Sequence, residues 1–197
     1  VEFARTTSIS TLLLSRGGFS WFGGFVGGVG TGLWMLHRYG VPLVRGFSAA
    51  APALAIGHAI GRIGCFLVGD DYGRPSDLPW AVAFPRGLPP TNIRVHPTQL
   101  YETLALGILG WLLLRWRASG MLDRVVLSRY LILAGAIRFG IEFVRINARI
   151  AGPLTLAQLW SLAVVAIGIV LALRTHADAR EAVDLRSRAG RGRTTIL

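Results

Sequence analysis

The chain has no lysine, a single cysteine and little charge of either sign, and each shortage excludes something. Cys65 alone can build neither a disulfide framework nor a CxxC metal knuckle. Charged residues make up 16% of the 197, where soluble domains carry about 25%. Apolar residues make up 52%. An ordinary soluble globule, a fibre and a disulfide-stapled mini-protein are thereby set aside. Acids are also scarce, 10 against 21 basic residues, which leaves a net charge of +11. Every basic residue is arginine. A GC-rich coding bias is the plain explanation, and phosphate recognition is the functional one, because a planar guanidinium fits a phosphate better than an ammonium does. Nucleic acid is not the indicated partner: no basic stripe interleaved with aromatics lies on a soluble face. An anionic membrane surface fits better.

Apolar runs of about 18 residues or more are candidates for spanning a bilayer. Five are present: Phe19 to Leu36, Gly46 to Val68, Gln99 to Trp116, Val125 to Val144, and Leu154 to Leu173. The predicted fold is therefore all-α, a polytopic transmembrane helix bundle of about five spans. Gly23, Gly24, Gly27, Gly28 and Gly32 in the first run form overlapping GxxxG registers suited to close helix contact. The chain opens on Val1, and residues 1–18 read as the end of a loop, so further spans are expected upstream. Residues 1–173 are read as one integral-membrane domain. Residues 174–197 form a basic cytoplasmic tail, expected as a frayed helix or disorder. With the C-terminus inside, the inner segments hold eleven arginines and the outer ones seven, a positive-inside bias.

Ionisable residues within spans cost about 2.5–3.5 kcal/mol each on insertion scales and mark function by default. Here they are Arg62, Glu102, Arg129, Arg138 and Glu142, with His58 as a further candidate. In the stated orientation Arg62, Tyr101, Glu102, Arg138 and Glu142 fall at one depth near the outer face. Arg129 lies at the inner mouth, where snorkelling explains it. Arg138, Glu142 and Arg145 share one helix face at i, i+4, i+7. They read either as a self-neutralising ion pair or as an arginine pair facing a phosphate, with Glu142 holding the geometry. Between the second and third spans lie 29 residues, Gly69 to Pro97, too long for a passive connection. Trp80, Val82 and Phe84 alternate as in a short strand, and this outward-facing loop reads as a lid over the charged cluster or as part of the site. Pro97 opens the third span, and Glu102 there is either a site residue or an acid set against a helix start.

Three stretches, read together, carry a resemblance. Gly61-Arg-Ile-Gly-Cys-Phe-Leu-Val-Gly-Asp-Asp-Tyr-Gly-Arg74, His96-Pro-Thr-Gln-Leu-Tyr-Glu102 and Arg138-Phe-Gly-Ile-Glu-Phe-Val-Arg145 resemble the prolipoprotein diacylglyceryl transferases of bacterial inner membranes. Phe19 to Gly28 is similar to an earlier signature of that family, whose members are longer at the N-terminus. The resemblance implies transfer of a diacylglyceryl group from phosphatidylglycerol to the lipobox cysteine thiol in the signal peptide of a preprolipoprotein, on the periplasmic side of the membrane. Glycerol phosphate leaves, and no metal or organic cofactor is implied. It further implies His96, Glu102, Arg138 and Glu142 as catalytic residues. Arg62, Arg138, Arg145, Gly73 and Tyr101 are implied as contacts to the lipid phosphate.

The chain departs from the family pattern in three places. Phe22 stands where the family carries histidine ahead of Gly23-Gly24, Cys65 stands for asparagine, and Asp70 for glutamate. His96, Glu102 or Asp70 could then supply the base, and the sequence does not choose among them. Phe22 keeps open a non-catalytic relative that binds anionic lipid or lipoprotein precursors. A small transporter is a further alternative, but its polar groups would be spread through the depth rather than gathered at one end.

Overall fold

The computed structural model describes residues 16–147 and 149–193. The chain divides into two units, Val1–Gly46 and Phe47–Leu197. In the first, helix α1 (Arg16–Arg38) ends in a Schellman closure: Gly40 N donates to His37 O (3.2 Å) and Val41 N to Leu36 O (2.8 Å). Of the segment 1–18 expected as loop, residues 1–15 lie outside the described residues, and Arg16 already begins the helix. Phe22 falls on α1, and its side chain lies outside the described ones.

Helix α2 (Leu43–Val68) begins in the first unit and continues through the second. There follow strands β1 (Val82–Phe84) and β2 (Thr91–Val95), helices α3 (Thr98–Ala118) and α4 (Asp123–Ile141), strands β3 (Arg149–Ala151) and β4 (Leu154–Thr155), and helix α5 (Leu156–Arg193). Every apolar run predicted from the sequence is helical over most of its length; the fifth opens on the two residues of β4. Among the described residues two helices, Leu43–Val68 and Leu156–Thr175, are long and apolar enough to cross a membrane on length and composition alone. Helices α3 and α4 miss that standard because Glu102, Arg115 and Arg117, and Arg124, Arg129 and Arg138, interrupt them.

Small residues on α2 meet large ones on α3. Ala51, Ala55 and Ala59 pack against Leu106, Leu109, Leu113 and Val126 in the buried core of the second unit. Alanines recurring every fourth residue line one helix face and let the leucines of the neighbour come close. Helix α4 lies close along α5 where Gly135 and Gly168 remove the side chain: a Cβ on either would stand 3.0 Å from a carbonyl of the other helix, Ser161 O or Ser128 O. Helix α5 opens with a reciprocal cap, Gln158 N donating to Thr155 Oγ1 (3.2 Å) and Thr155 N to Gln158 Oε1 (3.0 Å).

One expectation is corrected. The fourth run was read through Val144, but α4 stops at Ile141 because the chain turns over residues 142–145 and Arg145 bridges to Gly73. Of the tail read as a frayed helix or disorder, residues 174–193 continue α5. Ala177, Ala179 and Ala182 among arginines and glutamate are strong helix formers, and their propensity outweighs the low apolar content.

The segment Gly69 to Pro97, the lid of the sequence reading, is folded. Strand β1 was anticipated and its partner β2 was not; they pair antiparallel with Val82 opposite Val95 and Phe84 opposite Thr91. Arg94 crosses the lid and donates to the carbonyls of Ala81 (3.0 Å), Pro79 (2.9 Å) and Leu78 (3.3 Å). Tyr72 stacks on Phe84 at 5.6 Å and donates its hydroxyl to Pro89 O at 2.7 Å. Gly69 starts the lid: its φ of +74° closes α2 in a left-handed turn that a side chain would strain.

Candidate functional site

Each helix of the second unit that borders the lid brings one end of itself to the same place. Arg62 lies in the last two turns of α2, Glu102 in the second turn of α3, and Arg138 in the last turn of α4. Glu142 and Arg145 follow where the chain turns, and Asp71 comes from the start of the lid. Together they close a ring of alternating charge. Asp71 Oδ2 receives Arg62 Nη1 at 2.7 Å, and Arg62 Nε pairs with Glu102 Oε2. Glu102 Oε1 faces Arg138 Nη1 at 3.6 Å, and Arg138 Nη1 meets Glu142 Oε2 at 2.8 Å. Glu142 Oε2 then faces Arg145 Nε at 4.0 Å, and Arg145 Nη2 returns to Asp71 Oδ1. Asn147 Nδ2 donates to Glu142 Oε1 at 2.6 Å.

Of the two sequence readings, the ion pair between Arg138 and Glu142 is present, and Arg145 lies beside it as a second cation. Glu102 is not an acid at a helix start. It is buried between two guanidinia, one helical turn too deep to face the terminal amides. Burial pushes the Asp71 carboxyl up, but Arg62 and Arg145 on either side hold it below the ordinary carboxylate range.

A cavity of about 380 Å³ opens beside the ring, within the size range of small-molecule sites. Glu102, Arg138 and His58 are among its polar lining, and most of its walls are apolar, among them Leu106, Ile137 and Trp160. That division suits a molecule with an anionic head and acyl chains. On the lid side a second cavity of about 260 Å³ is lined by Asp71, Tyr72, Leu88, Arg145 and Asn147.

Of the residues expected from the sequence, Arg62, Glu102, Arg138, Glu142 and Arg145 are brought together. His96, Tyr101 and Gly73 are not part of the ring. Tyr101 turns to the lid, where its hydroxyl accepts from Trp80 Nε1 (2.8 Å) and contacts His96 Nδ1 (3.2 Å). Gly73 sits where three segments cross; a Cβ there would come within 2.6 Å of Val144 O and 2.9 Å of His96 Cβ. Its place in the fold is a crossing point. Arg74 ties the same crossing to the turn after α4, its backbone N–H donating to Val144 O at 2.8 Å.

Asp71 and Asn147 were missed. Asp71 stood in the quoted motif beside Asp70, and nothing in a one-dimensional string separates two adjacent acids. Asp70 instead holds α3 through its carbonyl, which accepts from Gln99 Nε2 at 2.5 Å. Cys65, Asp70 and Asp71 offer donor atoms within 4.8 Å of one another. Arg62 already donates to both Cys65 Sγ and Asp71, so a metal cation would meet a guanidinium where it needs free ligands.

Comparison with known proteins gives this arrangement a family. The family model described as prolipoprotein diacylglyceryl transferase matches residues 1–174. The chain is 37% identical over 175 residues to a protein of Methylobacillus flagellatus named phosphatidylglycerol–prolipoprotein diacylglyceryl transferase, covering 86% of this chain and 66% of that one. It is similar to the proteins of the same name from Gloeobacter violaceus (36% over 161 residues, 79% and 60% covered) and Finegoldia magna (31% over 159 residues, 80% and 62% covered). The chain spans somewhat less than two thirds of the length of these curated relatives. On the match across residues 1–174, this chain belongs to the prolipoprotein diacylglyceryl transferase family.

Proposed function

We propose that the full-length protein transfers a diacylglyceryl group from phosphatidylglycerol to the lipobox cysteine of preprolipoproteins. It does so as a multi-pass protein of the bacterial inner membrane, with the charged ring facing the periplasmic side. The observation that carries the proposal is the ring itself: three guanidinia joined by three carboxylates, two of them buried, with Arg138 and Glu102 also lining the apolar cavity. Five spans within residues 1–173, counting α1 to α5, fit this reading.

The chemistry follows from the groups present. The cysteine thiolate, the nucleophilic form, attacks the glyceryl carbon that bears the phosphate ester. A carbon–sulfur bond forms, the carbon–oxygen bond breaks, and glycerol phosphate leaves with the bonding pair. Arg62, Arg138 and Arg145 bind the phosphate and stabilise the charge that collects on it. Glu102 and Glu142 hold the guanidinia, so that little reorganisation is needed at the moment of reaction. The thiol proton goes to an imidazole, a side chain whose ring nitrogen can accept it. Two imidazoles are available. His58 lines the cavity with Glu102 and Arg138, and His96 stands at the lid with Nδ1 against Tyr101. The cavity favours His58. His96 in turn is suited to meeting the incoming signal peptide.

The test is the full-length protein in phosphatidylglycerol vesicles with a lipobox peptide. Radiolabel in the diacylglyceryl group should move to the peptide thiol as glycerol phosphate is released. Absence of transfer, with anionic lipid still bound, would favour a non-catalytic binding relative, the reading to which Phe22 points.

A further inference from the structure

The three carboxylates of the ring are not equivalent. Glu102 and Glu142 have side chains 1% and 0% exposed and sit at the ends of helices, so neither can leave without stranding a buried guanidinium. Asp71 is 46% exposed, belongs to the lid, and borders the outer cavity. It is nevertheless the acid that joins Arg62 to Arg145. Its main chain is anchored independently, because its carbonyl accepts from Thr98 Oγ1 at 2.8 Å. The side chain can therefore rotate out while the backbone stays. With Asp71 in place the ring holds three cations and three anions; without it the ring carries one surplus positive charge. That surplus is the charge of one phosphodiester.

Resting on the proposed function, we infer that Asp71 is an internal counter-ion occupying the phosphate position between Arg62 and Arg145, and that the phosphodiester of the lipid substrate displaces it. Asp71 thereby sets the affinity for the anionic lipid. In the empty site it keeps two largely buried guanidinia neutralised and aimed at one point; on binding it yields to a ligand of equal charge and swings toward the outer cavity. A neutral lipid head brings no charge to exchange and leaves Asp71 where it is.

The experiment compares the full-length wild type in neutral detergent micelles with Asp71→Asn, Asp71→Glu and Asp77→Asn. Phosphatidylglycerol binding is measured by titration calorimetry, with glycerol phosphate titrated separately. Asn keeps the shape and tolerates the φ of +59° at this position. Asp71→Asn should bind phosphatidylglycerol about fivefold more tightly, the factor expected when one half-exposed ionic competitor is removed. Asp77→Asn makes the same charge change elsewhere in the lid and should match the wild type. Asp71→Glu keeps the competitor and should stay within about twofold of it.

Weaker or unchanged binding in Asp71→Asn would show that Asp71 only props up the arginines and would overturn the inference, as would Asp71→Glu binding as tightly as Asp71→Asn. Tightening toward glycerol phosphate alone would overturn the lipid as the displacing ligand. Binding and transfer are separate readouts. Tightened binding without transfer to the peptide sinks the transferase reading and leaves the counter-ion standing; transfer with unchanged binding does the reverse.

Discussion

Glutamate 102 is the hinge of the ring, and Glu102→Gln tests it directly. The substitution keeps the shape but removes the one negative charge between Arg62 and Arg138, on a side chain 1% exposed. Removing one partner of a buried pair costs about 3–5 kcal/mol, mostly the uncompensated charge left behind. Arg138 keeps Glu142 at 2.8 Å and Arg62 keeps Asp71 at 2.7 Å, so the lower end applies, about 3 kcal/mol. For a chain of this size that corresponds to a fall in Tm of roughly 6–12 °C. The assay is thermal unfolding of the purified full-length protein in mild detergent, followed by tryptophan fluorescence. Adding Arg62→Gln restores neutrality, since Arg138, Glu142, Arg145 and Asp71 remain as two complete pairs. The double variant should therefore lose at least about 1 kcal/mol less than the sum of the two single losses. A Tm shift under about 2 °C for Glu102→Gln, or strict additivity in the double variant, would refute the ring as a coupled unit.

Arg138→Lys should cut transfer by tenfold or more, on the order of 1.4 kcal/mol, while the protein stays extractable and folded, because one ammonium cannot span Glu102, Glu142 and a phosphate as a fork does; wild-type turnover would return Arg138 to a purely structural ion pair. His58→Gln should lower kcat for transfer, whereas His96→Asn should chiefly raise KM for the lipobox peptide; the opposite split would move the base to the lid. In a Cys65→Ser background, Ser76→Cys should react with an impermeant thiol reagent in intact spheroplasts and Ser119→Cys should not, since the lid and the α3–α4 turn lie at opposite ends of α3. Labelling of Ser119→Cys alone would invert the topology and put the ring on the cytoplasmic side.

Much of the helical framework was legible because burial in an apolar medium demands long uninterrupted runs, and such runs are visible without knowing what they touch. Their ends were less so. The stop at Ile141 is decided by Arg145 pairing with Gly73, about 70 residues away in the chain, which no local pattern records. The continuation of α5 to Arg193 went the other way: alanine and charged helix formers prevail there although no apolar periodicity announces a helix. Strand β1 showed in the alternation of Trp80, Val82 and Phe84. Strand β2, Thr91-Asn-Ile-Arg-Val95, has a weaker alternation and is recognisable mainly through its partner.

The sequence by itself determined which residues were expensive. An arginine or glutamate within an apolar run stands out because lipid cannot solvate it, so Arg62, Glu102, Arg138 and Glu142 were identifiable one by one, and helical spacing joined Arg138, Glu142 and Arg145. The tertiary structure alone decided how they connect. It took Asp71 from the lid to close the ring, joined Tyr101 to Trp80 and to His96 at the lid, and set His58 in the cavity. The reason is physical: the cost of burying a charge belongs to the residue and can be read from its surroundings in the chain, whereas the partner that offsets it is chosen by proximity in space. Residues 62, 71, 102, 138 and 145 meet only when α2, α3, α4 and the lid bring their ends together.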